Sequence, residues 1–60
     1  MGLEQLKKAI KVENMFNIIR YVSIDTNHNG LNIVYDVDGN SVSKCRLSQM
    51  LETGFYKQIN

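Results

Sequence analysis

The chain has 60 residues, 43% of them hydrophobic, and a formal net charge of +1. That length holds one domain and leaves little room for a substrate pocket of ordinary volume, while the apolar content excludes a disordered tail. Cys45 and His28 are the only cysteine and histidine, which excludes an internal disulfide and a Cys/His zinc site and leaves self-association or docking on a partner as the expected support.

Leu3, Leu6, Ala9 and Ile10 recur at three- and four-residue steps, with Glu4, Lys7, Lys8 and Lys11 mainly on the other side. This predicts an amphipathic helix ending near Val12 to Asn14, where Glu13, Asn14 and Asn17 interrupt the apolar stripe. No apolar run is long enough to span a bilayer, and Met1 to Asn14 lacks the apolar core of a signal peptide, so a cytoplasmic protein without a membrane partner is expected.

From Asn17 onward, "NIIRYVSID", "LNIVYDV" and "SVSKCRL" are rich in β-branched and aromatic residues and are separated by Asn-Gly and Asp-Gly. They predict a three-stranded antiparallel meander. A two-residue turn at Asn29-Gly30 would set Ile24 opposite Tyr35 and Val22 opposite Val37, with Leu31, Ile33, Tyr35 and Val37 on the core face. A three-residue loop Asp38-Gly39-Asn40 would pair Ile33 with Cys45; the two-residue alternative sets Lys44 opposite Ile33 and is disfavoured on hydrophobic register. Ser48 is placed to cap a short helix through Thr53, and Gly54 to end it in the left-handed conformation. "FYKQI" follows as a tail or a fourth short strand. The expected fold is a single α+β domain over residues 1–60: an N-terminal amphipathic helix, a three-stranded antiparallel meander and a short C-terminal helix.

"DTNHNG", Asp25 to Gly30, matches the opening of an EF-hand calcium loop at positions one, three, five and six. The match then fails, because Asn32 stands where an aliphatic residue belongs, Asp36 replaces the bidentate Glu, and both flanks read as strands. Asp and Asn are common turn formers, so a turn accounts for every residue of the motif. His28 has no second ligand at metal spacing. Cys45 alternates into the core face as a small hydrophobe, and Ser41, Ser43 and Ser48 lack a base and an orienting partner. No catalysis, metal or cofactor is expected.

In the predicted register the sheet face away from the core carries Ile19, Tyr21, Val34 and Val42, with Asp25, Asp36, Lys44 and Arg46 around them. An apolar centre with a charged rim is the composition of a binding surface. The expected function is therefore a non-catalytic protein–protein interaction module, homodimeric, acting as a regulator or inhibitor. Asn, Ile and Lys supply seven, six and five residues, a bias that points to a low-GC bacterium or its phage or prophage. The alternative is a small nucleic-acid-binding regulator using Lys7, Lys8, Lys11, Lys44, Arg46 and Tyr21. The small net charge and the single aromatic on the predicted face count against it.

Overall fold

In the computed structural model, which describes residues 9–24 and 29–59, Ala9–Asn14 is a β-strand, β1. This overturns the expected α+β plan headed by an amphipathic helix; the rest of that predicted helix, residues 1–8, lies outside the described residues. The competing signal is Ile10-Lys11-Val12-Glu13, which alternates apolar and polar with period two. Ile10 satisfies both the helical and the strand pattern. Burial of Val12, which is 0% exposed, and pairing on both sides of β1 decide for the strand.

The other elements are β2 (Ile19–Ser23), β3 (Asn32–Tyr35), β4 (Ser41–Cys45), a helix α1 (Leu47–Thr53) and β5 (Tyr56–Gln58). They build a five-stranded antiparallel sheet of order β4-β3-β2-β1-β5. The chain is thus mainly sheet, with its helix after four of the strands. "FYKQI" supplies β5, which α1 carries across the sheet from β4 to the free edge of β1.

One face of the sheet holds Val12, Val22 and Val34, each fully buried, with Tyr56 almost as deep. Leu47 and Met50 of α1, together with Ile10, Cys45 and Phe55, pack against them. Phe55 meets the Tyr56 ring edge-on, with centroids 5.0 Å apart. Asn32 points into the same face and is satisfied there, its Nδ2 donating to the Ser23 carbonyl at 2.7 Å and its Oδ1 accepting from the Leu47 N–H at 3.2 Å.

That last bond changes the reading of the helix start. Arg46 occupies the N-cap position and makes no side-chain cap bond; Ser48, expected to cap, lies inside the helix. Asn32, remote in sequence, takes one of the orphan N–H groups instead. Gly54 ends α1 at φ 84°, donating its N–H to the Leu51 carbonyl.

Both expected registers are also corrected. β2 and β3 pair Tyr21 with Tyr35 and Val22 with Val34, a shift of three residues that exchanges the faces of β3. Asn29 and Gly30 do adopt left-handed conformations, at φ 58° and 80°, but the connection is longer than a two-residue turn. In the next hairpin Ile33 faces Lys44, and a bulge opens where Tyr35 pairs with Ser41 while Val34 pairs with Ser43. Val42 is the extra residue, and the bulge reconciles the loop with the buried face.

The β1–β2 and β3–β4 hairpins share one turn design. Asn14 Oδ1 accepts the Phe16 and Ile18 N–H groups at 2.8 and 3.0 Å, and the Asn14 carbonyl accepts the Asn17 N–H at 2.9 Å. Asp36 Oδ1 accepts the Asp38 and Asn40 N–H groups at 2.9 and 3.0 Å, and its carbonyl accepts the Gly39 N–H at 3.0 Å. A left-handed residue closes each loop, Asn17 at φ 64° and Gly39 at φ 84°.

Candidate functional site

Because β1 and β3 run in the same direction, these two hairpins project from the same end of the sheet, their centres about 10 Å apart at two strand spacings. Met15 is 64% exposed, Phe16 70%, Ile18 41% and Val37 56%. The Asx turns give their backbones internal partners, so the loops are held in shape while their apolar side chains face water. The remaining large exposed hydrophobics among the described residues, Ile24, Val42 and Leu51, stand outside these loops. A shallow cleft of about 260 Å³ opens beside Met15, lined by Glu13, Asn14, Asn17, Gly54 and Lys57 as well. It is smaller than an ordinary ligand pocket.

Sequence reasoning missed this end. The expected register sets Val37 on the core face, and the residues between the expected helix and the first expected strand carry no assigned role. The available signal was "NMFN", an apolar pair bracketed by the two Asn residues that build a turn.

The open face of the sheet is the second candidate surface. Register and alternation place Lys11 and Glu13 of β1, Ile19 and Tyr21 of β2, Ile33 and Tyr35 of β3, Lys44 of β4 and Lys57 of β5 on the side away from α1. The apolar residues and tyrosines there are half-buried, while Lys44 and Lys57 are exposed. Arg46 continues the alternation of β4 and is also exposed. No other described element packs on this face.

Of the residues expected to form an interface, Ile19, Tyr21 and Lys44 therefore do share a face, with Arg46 at its margin. Val34 does not join them; it is fully buried in the valine core on the opposite side. Val42 sits in the β4 bulge, 47% exposed. Ile33 and Tyr35, assigned to the core, take the open-face positions instead, and Asp36 falls on the side of Val34. Asp25, like His28 and most of the "DTNHNG" motif, lies outside the described residues.

Reactive groups are sparse. Cys45 is a free thiol packed against the core, and burial pushes its pKa up, away from the reactive thiolate. Burial likewise pushes the Tyr56 phenol up. Among the described residues no three His, Cys, Asp or Glu side chains are grouped to hold a metal ion, and no helix is long and apolar enough to cross a membrane.

No protein-family model, curated protein or solved structure matches this chain.

Proposed function

We propose that this chain is a non-catalytic interaction module that docks on a partner protein through its hairpin end. The observation that carries this reading is the gathering of Met15, Phe16, Ile18 and Val37 on two neighbouring loops with rigid internal bonding. Apolar side chains scattered singly over a surface need no explanation, but four of the seven large exposed hydrophobics among the described residues lie on these two loops at one end of the sheet, a concentration that suits a contact site. Burial of Met or Phe recovers about 1.5–3 kcal/mol each, and loops already shaped by Asn14 and Asp36 lose less entropy on binding. Burial of Cys45, which pushes its pKa up, counts against a thiolate nucleophile there. The Asn, Ile and Lys bias fits a source in a low-GC bacterium or its phage, in which the chain would act as a small cytoplasmic regulator or inhibitor.

Native mass spectrometry of the full chain purified from its host tests this, beside Phe16→Ser and Lys44→Gln. A complex kept by Lys44→Gln and lost by Phe16→Ser is the expected result. If the complex is a dimer of this chain, the partner is a second copy. A Phe16→Ser protein that keeps every association of the parent chain overturns the proposal.

A further inference from the structure

The net charge of +1 conceals a segregation that the sheet creates. The open face carries Lys11, Lys44 and Lys57, with Arg46 at its margin, against one acid, Glu13, which stands directly opposite Lys57. The other described acids are elsewhere: Asp36 and Asp38 in the β3–β4 turn region and Glu52 on α1. Arg20, the remaining described cation, lies on the core side opposite Val12 and favours ionisation of Asp36. One face is thus cationic and the rest of the described surface acidic.

At the centre of the cationic face, Tyr21 and Tyr35 are cross-strand partners, which brings their Cβ atoms within about 4.5–5.5 Å of each other. Ile19 and Ile33 flank them. Two aromatic rings on adjacent strands offer stacking surfaces to successive bases, and lysines at both margins lie where a backbone of phosphates would run. Base stacking on aromatic side chains combined with a cationic track is how single strands are held without sequence readout. A duplex, whose bases are already stacked, would use only the cations.

We propose that the open sheet face binds single-stranded nucleic acid, with Tyr21 and Tyr35 stacking on bases and Lys11, Lys44, Lys57 and Arg46 contacting phosphates. The site is separate from the hairpin end and stands independently of the protein-docking reading.

Fluorescence anisotropy of the full chain with a labelled twelve-residue oligothymidylate tests it. Three to four phosphate contacts on a single strand weaken binding about twenty- to fiftyfold between about 50 and about 200 mM salt. Loss of one stacking ring weakens it by about fivefold to about 150-fold. Tyr21→Leu and Tyr35→Leu remove the ring while keeping apolar bulk in the half-buried positions, with circular dichroism to verify folding. Exposed Lys44→Gln lowers the magnitude of the salt slope by about 0.7. Phe16→Ser leaves oligonucleotide affinity unchanged, which separates this site from the hairpin end. The proposal is overturned by absence of binding at low salt. It is equally overturned by binding that both tyrosine variants retain in full, or by equal affinity for a duplex of the same length.

Discussion

Asn32 Oδ1 accepts the backbone N–H of Leu47 at 3.2 Å, so a strand residue caps a helix that begins after the next strand. Through Nδ2 the same side chain donates to the Ser23 carbonyl at 2.7 Å, joining the end of β2 to the start of α1. Asn32→Ala removes this partner from two part-buried backbone groups, at a cost of about 2–3 kcal/mol. A core this small rarely supplies more than about 3–5 kcal/mol in all. Urea unfolding followed by circular dichroism should therefore show Asn32→Ala losing half or more of the parent stability. A midpoint within error of the parent would mean that water replaces both bonds without loss.

The valine row is the second place where small changes have large effects. Val22 and Val34 are opposite one another and fully buried, so Val22→Ala or Val34→Ala should each cost about 2 kcal/mol in transfer and cavity terms. Val42→Ala, in the exposed bulge, should stay within about 0.5 kcal/mol of the parent. The same urea series measures all three. Equal effects at Val34 and Val42 would contradict the register described for β3 and β4.

Asp36 links stability to pH. The Asn40 N–H bond to its carboxylate is the main reason its pKa lies below the ordinary value; desolvation, the next largest effect, opposes it, and the Asp38 N–H and the field of Arg20 add to the lowering. A carboxyl whose pKa is depressed by folding contributes stability above its unfolded pKa, and that contribution disappears as pH falls through the folded pKa. Asn14 holds the equivalent turn with an amide and no charge. Asp36→Asn should keep the turn and flatten the acid limb of the stability–pH curve, measured by thermal melts from neutral pH into the acid range. An acid limb unchanged by the substitution would assign acid sensitivity to other carboxylates.

Gly54 is at φ 84°, and a Cβ added there would meet nothing within 4 Å. The cost of Gly54→Ala is accordingly conformational, about 1 kcal/mol, and Gly54→Asn should cost less because Asn tolerates the left-handed region. In a domain of this size about 1 kcal/mol corresponds to a fall of about 4–8 °C in Tm. A scanning calorimeter resolves that difference, and an Ala variant melting with the parent would mean that the helix end relaxes out of the left-handed conformation.

What the sequence determined by itself is local. The strands β2, β3 and β4, the left-handed Gly54 and the turns near Asn29-Gly30 and Asp38-Gly39 follow from β-branched composition and from residues that tolerate positive φ, whereas "FYKQI" is open between a tail and a strand. Those preferences act over a few neighbours, so one sequence contains them. The first strand reads as the end of a helix instead, because Ile10 fits both periods and Leu3 and Leu6 complete a helical stripe.

Only the tertiary structure decided which residues share a face. Side chains alternate with period two, so an odd shift in register exchanges the two faces of a strand; the three-residue shift of β3 sent Val34 inward and brought Tyr35 beside Tyr21. Local rules could not foresee that the loop after β2 exceeds two residues, that Val42 bulges out, or that Asn32 is buried as a cap. Each depends on which arrangement buries Val12, Val22 and Val34 together beneath α1, and that is a property of the packed sheet as a whole.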